Sequence, residues 1–283
     1  MTSGVARSKR RTWLRRTLIG VALAYLLLCA TVFLAQGRLL FHPTTQTNAD
    51  ADALIARSDI DPLEIEVEGA TLRGMIRRGQ GQGPRPTVLY FGGNAEGVSR
   101  RLSDRDWVNA LGWSFVVVPY RGYDRSSGSP SAEAYLGDVA PVFDAVAAHP
   151  DVDPEHIVAW GTSLGTGLAA HLADRRELAG VILAAPYARL SDIAAEQFPW
   201  LPVRALFRHE IDTLAVAPQI TEAVLVLHGD ADTLIGLEHG RRVADAWKGP
   251  AQLRVLAGAG HNDLARHAQM RPAVEAFLRQ RQQ

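Results

Sequence analysis

The sequence predicts an α/β fold, with a mostly parallel central sheet flanked by helices on both faces. Short apolar, β-branched runs recur at 87–91, 115–119, 157–160, 181–185, 223–228 and 253–257. Helical patterns alternate with them, at 99–111, 131–148, 165–176, 236–247 and 265–281. The runs are continuously apolar, as expected of strands covered on both faces. Parallel neighbours need a crossover, and this gives each intervening helix its place.

The chain has 283 residues, 47% apolar and 21% charged, enough for one large domain with a sizeable core. Thirty basic residues balance thirty acidic ones. That neutrality argues against nucleic acid as a partner, since phosphate binding needs a surplus of positive charge. Cys29 is the single cysteine, so an intramolecular disulfide and a thiolate-rich zinc site are both excluded.

Residues 1–16 form a basic N-terminus carrying Arg7, Lys9, Arg10, Arg11, Arg15 and Arg16. No charge follows over 17–35. As a helix this stretch is ~28 Å long, close to the hydrocarbon thickness of a bilayer. A transmembrane helix is therefore expected over 17–36. Arg38 is the only basic residue between it and Arg57. The positive-inside bias puts the N-terminus in the cytoplasm and everything beyond the helix on the extracytoplasmic side. The Arg- and Ala-rich composition suggests a bacterium, so that side is the periplasmic face of the inner membrane. A cleaved signal peptide is the alternative, but its apolar region is shorter, and Phe33 stands where a small residue should precede a cut at Ala35.

Residues 37–62 read as a linker with one short helix, and 63–283 as the α/β domain. Within the domain, 63–67 and 71–77 form a hairpin turning at Glu68-Gly69-Ala70, and 79–86 is a loop. The segment from about 190 to 220 breaks the alternation. It holds Pro199-Trp200-Leu201-Pro202 and no strand, so a small cap is expected above the C-terminal edge of the sheet.

Gly161-Thr162-Ser163-Leu164-Gly165 fits G-x-S-x-G, with a strand pattern ending at it and a helical one beginning there. A serine hydroxyl is a weak nucleophile and must be held out where a base can reach it, which a strained strand-to-helix turn does. The bland reading of Ser163 is an ordinary turn residue. Among nine histidines, His261 fits a general base best, in the Gly-rich loop Gly258-Ala259-Gly260-His261 after the last strand. His42, His149, His156, His171, His209, His239 and His267 fall in linkers, helix ends or polar faces. The orienting acid should lie between nucleophile and base, where Gly229-Asp230-Ala231-Asp232 offers two candidates that spacing does not separate. Two backbone donors should hold the oxyanion: the N–H of Leu164 and that of Asn94, in the loop Gly92-Gly93-Asn94-Ala95. No G-x-G-x-x-G follows a strand, and H-E-x-x-H, P-loop and EF-hand patterns are missing, so no cofactor or metal is expected.

These residues resemble one family. Val88-Leu89-Tyr90-Phe91-Gly92-Gly93-Asn94-Ala95, Tyr120-Arg121-Gly122-Tyr123, the serine turn, His228-Gly229-Asp230-Ala231-Asp232 and Gly260-His261-Asn262-Asp263 carry the likeness, with Leu39-Leu40-Phe41-His42-Pro43 after the helix. The family is that of single-pass membrane-anchored serine α/β-hydrolases, which includes Bem-type proteins, palmitoyl-protein thioesterase-like enzymes and serine aminopeptidase-like hydrolases. The resemblance implies the α/β-hydrolase fold and a Ser163–Asp232–His261 triad, since the family's acid lies four residues after the His of the His-Gly pair. Gly92 stands where the family has a histidine, and Pro119 where it has an aspartate. The expected function is cleavage of carboxylic ester or thioester (acyl) bonds in a small-molecule or acylated substrate. A serine peptidase, or a non-catalytic binding or scaffold protein on the same fold, is the alternative.

Overall fold

The computed structural model describes residues 3–282. Met1, Thr2 and Gln283, at the ends of the first and last expected segments, lie outside the described residues. An eight-stranded sheet forms the centre: β1 Ile60–Val67, β2 Ala70–Arg77, β3 Arg85–Phe91, β4 Ser114–Val117, β5 Val152–Thr162, β6 Gly180–Ala184, β7 Val224–Gly229 and β8 Ala251–Leu256. Its order is β1-β2-β4-β3-β5-β6-β7-β8. The hairpin β1–β2 is antiparallel and β2 pairs antiparallel with β4; every pair from β4 to β8 is parallel. This is the α/β-hydrolase arrangement the sequence predicts.

The continuous apolar runs are explained by burial on both faces. Leu89, Ala159, Leu183 and Val226 belong to one core, against the helices Ala132–Ala147 and Leu164–Ala173. Their neighbours Val88, Val158, Ile182 and Leu225 belong to the other, against Met270–Gln280. Successive side chains of a strand point to opposite faces, so each strand feeds both cores. The Ala132–Ala147 helix starts where Ser131 accepts a hydrogen bond from the Ala134 N–H (3.1 Å), and it buries Tyr135, Val139, Val142 and Val146 at helical spacing.

Three boundaries differ most from the sequence reading. The helix expected over 99–111 is broken into Val98–Arg100, Arg101–Asp104 and Asp106–Ala110. The break falls at Arg105, which leaves helical geometry and lays its buried guanidinium over the Trp160 ring at 5.0 Å. The last helix begins at Met270, after a single turn at Leu264–Arg266, and carries Pro272 in its first turn, where a missing N–H costs nothing. Strand β5 reaches back to Val152, which pairs with Arg85 across a register shift at Pro86, where the polar Asp153–His156 stretch hides a strand from the hydropathy pattern.

The N-terminal helix runs Ser3–Leu40, and its Arg11–Leu40 part is long and apolar enough to cross a membrane. The stretch 37–62, read as a linker, lies packed on the domain: Phe41, Ala51 and Ile60 are buried in its two cores, and the expected short helix is Asn48–Ile55. The cap is a set of short helices, Leu190–Gln197, Val203–Leu206 and Thr213–Val216, between β6 and β7.

Candidate active site

Strand β5 ends at Thr162 and the helix Leu164–Ala173 begins one residue later. Ser163 makes the turn between them at φ 51°, ψ −116°. This positive φ is strained for a residue with a side chain, and it is the geometry that lifts a serine clear of its own backbone. Glycine is required on both sides. A Cβ at Gly161 would lie 2.4 Å from the Gly165 carbonyl oxygen, and one at Gly165 would lie 2.1 Å from that of Phe91.

Three side chains from three loops meet at this turn. His261 Nε2 lies 3.0 Å from Ser163 Oγ, and its Nδ1 lies 2.8 Å from Asp232 Oδ2. The other carboxylate oxygen of Asp232 accepts from the N–H groups of Leu234 (3.0 Å) and Ile235 (2.9 Å). Burial alone would raise the Asp232 carboxyl. The hydrogen bond from His261 and the two backbone donors outweigh it and hold the pKa below the ordinary 3.8, so the group is a carboxylate at neutral pH. Asp230, the other candidate acid, is exposed and accepts from the Gly258 N–H at 2.6 Å, which ties the two loops together short of His261. The structure brings Asp232 to the imidazole and leaves Asp230 outside.

Leu164 follows the serine directly, and Asn94 follows Gly93, which passes beside it. Leu164 opens a helix, so its N–H belongs to the first turn, which has no intrahelical partner. The 92–95 loop passes against the nucleophile: a Cβ at Gly93 would lie 3.6 Å from Ser163 Cβ. The Asn94 side chain turns elsewhere. Its Nδ2 donates to the Leu40 carbonyl (2.6 Å), and its Oδ1 accepts from the His42 N–H (3.0 Å) and the Tyr123 hydroxyl (2.7 Å). Tyr120 donates to the Gly92 carbonyl at 2.6 Å, and the Gly93 N–H donates to Glu96 at 2.5 Å. Gly92 has no space for a larger residue, since a Cβ there would lie 2.2 Å from Val98 Cγ1.

Two features escape the sequence reading. His228 is fully buried, with Nε2 2.8 Å from the Ile235 carbonyl, so it closes the 229–235 loop that carries Asp232. Burial lowers its pKa and keeps it neutral, and its Nδ1 packs where Gly240 leaves room, 2.4 Å from a Cβ that glycine lacks. The only sequence signal is the His228-Gly229 pair itself. His239, expected on a polar face, is buried, accepting from the Ala188 N–H (3.2 Å) and facing the Glu196 carboxylate (3.1 Å).

Asp61, His149 and Asp151 bring ligand-type atoms within 4.8 Å of one another. Arg78 pairs with Asp61, and Arg78 and Arg85 with Asp151, so the carboxylates already face cations.

The family described as serine aminopeptidase S33 matches residues 82–206. The esterase Pf2001 of Pyrococcus furiosus superposes with a TM-score of 0.69 at 18% identity, over 85% of this chain and 97% of its own. The chain has the α/β-hydrolase fold. Among relatives of this α/β-hydrolase, an uncharacterized protein of Mycobacterium tuberculosis is 29% identical over 245 residues, 86% of this chain and 87% of the relative. Alpha/beta hydrolase domain-containing protein 17C of Xenopus tropicalis is 28% identical over 232 residues, 81% and 74% of the two chains. Est1E from Butyrivibrio proteoclasticus shares the fold at a TM-score of 0.61 and 17% identity, over 77% of this chain and 96% of its own.

Proposed function

We propose that this α/β-hydrolase cleaves carboxylic ester or thioester bonds through an acyl-enzyme formed on Ser163. The observation that carries the reading is the unbroken line of hydrogen bonds from Ser163 Oγ through the His261 ring to the buried Asp232 carboxylate. His261 Nε2 takes the hydroxyl proton as Oγ adds to the acyl carbon, and Asp232 holds the ring with its proton on Nδ1 and stabilises the imidazolium. Collapse of the tetrahedral intermediate expels the alcohol or thiol, which takes that proton from Nε2. Water, deprotonated by the same nitrogen, then releases the acid and restores the serine. The N–H groups of Leu164 and Asn94 receive the oxyanion. The Asn94 side chain is spent on Leu40, His42 and Tyr123, so its part in oxyanion binding falls to the main chain.

A peptidase reading draws on the family description. An aminopeptidase needs free acids to receive the substrate's ammonium group. In the cap, Asp192 pairs with Arg204 and Arg242, Asp212 with Arg189, and Glu196 with His239. Arginines thus match Asp192 and Asp212, while exposed Glu210 accepts only from the Ser191 and Ile211 N–H groups, so the comparison of ester with anilide turnover decides between the two readings. The helix over 17–36 serves in this reading as a membrane anchor, with residues 1–16 cytoplasmic and the 63–283 domain, with its 37–62 lead-in, on the periplasmic side.

A fluorophosphonate probe labels the wild type and leaves Ser163→Ala unlabelled; equal labelling of both refutes the serine assignment. Turnover of p-nitrophenyl esters above that of aminoacyl-anilides separates the esterase from the peptidase.

A further inference from the structure

The cap and the apolar helix touch along one line. The Tyr25 hydroxyl donates to the Trp200 carbonyl at 2.9 Å, Arg208 lies over the Phe33 ring at 5.1 Å, and the Phe41 ring is 5.2 Å from that of His209. Gln36 binds twice: Nε2 donates to the Leu206 carbonyl (2.7 Å), and Oε1 accepts from the Arg208 N–H (2.9 Å). The helix is thus docked on the cap over its second half, with its one amide side chain satisfied by cap backbone.

We infer that the cap tip around Phe198 and Trp200 is immersed in the hydrocarbon of the bilayer beside the helix, so that helix and cap form one lipid-embedded unit. The inference rests on the reading of 17–36 as a membrane span. Arg16 and Arg38 bound the uncharged stretch and fix its level in the bilayer. Tyr25 precedes Gln36 by ~16 Å along the axis, about half the hydrocarbon thickness. A cap bonded at Tyr25 therefore lies below the headgroups, with Arg208, bonded to Gln36, level with them.

The tip has the chemistry for that place. Apart from the helix itself, the exposed large hydrophobic side chains among the described residues are Phe198, Trp200, Leu234 and Val255. Two of the four sit together at the tip, their rings 6.3 Å apart. Backbone polar groups in lipid must be satisfied within the protein. In Phe198-Pro199-Trp200-Leu201-Pro202 the prolines have no N–H, the Phe198 N–H donates to the Ala194 carbonyl (3.0 Å) and the Leu201 N–H to the Phe198 carbonyl (3.0 Å), and the Trp200 carbonyl receives Tyr25, which leaves the Trp200 N–H as the one unpaired backbone donor of the five residues. Behind the tip lies an apolar cavity of about 290 Å³, walled by Cys29, Val32 and Leu40 of the helix and by Phe198, Leu206 and Phe207 of the cap. In this placement an acyl chain of the bilayer enters it from the side.

The test uses the full chain in phosphatidylcholine–phosphatidylglycerol vesicles. In a Cys29→Ala background, Trp200→Cys and Gln252→Cys each take an environment-sensitive NBD label, the second at the opposite end of the sheet. The expected result is blue-shifted emission at 200, quenched by nitroxides on lipid acyl chains, with water-like, unquenched emission at 252. Circular dichroism melting matched to the wild type certifies the fold, and no step depends on catalysis. Water-like emission at 200 from a chain that resists carbonate extraction overturns the inference and leaves the anchor standing. Shielded but unquenched emission means a protein covers the tip, and overturns it too. Release of the chain by carbonate overturns both inference and anchor, without touching the serine chemistry.

Discussion

Replacing Asp232 by asparagine tests the site most directly, because the structure dictates which way the new amide faces. The carboxylate oxygen turned to the loop accepts two N–H groups, Leu234 at 3.0 Å and Ile235 at 2.9 Å. Only the amide oxygen of an asparagine can fill that role. Its NH₂ then faces His261 Nδ1, 2.8 Å from the wild-type oxygen. The imidazole must accept there and carry its proton on Nε2, against the Ser163 hydroxyl it should deprotonate. Geometry survives while the base is lost. A wrong-tautomer block of this kind costs about 10³–10⁴-fold in kcat, or about 4–5 kcal/mol in the barrier. Asp230→Asn, which disturbs only the contact with Gly258, should lose less than about tenfold. Initial rates on a p-nitrophenyl ester, with fluorophosphonate labelling rates alongside, measure both. An Asp232→Asn enzyme within about tenfold of wild type would show that the imidazole does not depend on this carboxylate. Stability adds a signed check. The folded pKa of Asp232 is depressed, so its contribution is complete above the ordinary carboxylate value and fades as pH falls through the lower folded value. The melting advantage of wild type over Asp232→Asn should therefore narrow in acid.

Asn94→Ala frees the 92–95 loop from Leu40, His42 and Tyr123 and should lower kcat about tenfold with little change in KM, because the misplaced donor serves the transition state; steady-state kinetics separate the two. Gly165→Ala, whose Cβ would stand 2.1 Å from the Phe91 oxygen, should cost about 3 kcal/mol or more in urea denaturation. Gly137→Ala is its counterpart within the Ala132–Ala147 helix, with nothing within 4 Å of the added carbon, and it should gain up to about 1 kcal/mol.

The sheet was legible because both of its faces are buried, which writes the strands as unbroken apolar runs such as Val181–Ala184 and Val224–Leu227. Where a strand end is polar, as over Asp153–His156, that signal fails and pairing with β3 decides instead. Ser163 was legible because its turn needs glycine for close approach, and His261 because its loop turns through the positive φ of Gly258. The order and spacing of Ser163 and His261 did not separate Asp232 from Asp230; the family resemblance did, and its physical basis is His228 folding the loop back onto Ile235. No local pattern announces a contact such as Gln36 with Leu206, made across 170 residues of chain. The same holds for His239, whose partners Ala188 and Glu196 lie 51 and 43 residues away in the chain.

The bonds from Leu40 and His42 to Asn94 bear on how the protein is handled at the bench. Trimming the chain at residue 43 to gain solubility would remove an acceptor and a donor that steady the 92–95 loop, and with them Phe41 from the core. Kinetics collected on such a shortened protein would describe a slacker catalyst than the intact one. Preparations that keep residues 40–43 in place are the fair starting point for measuring what this hydrolase does.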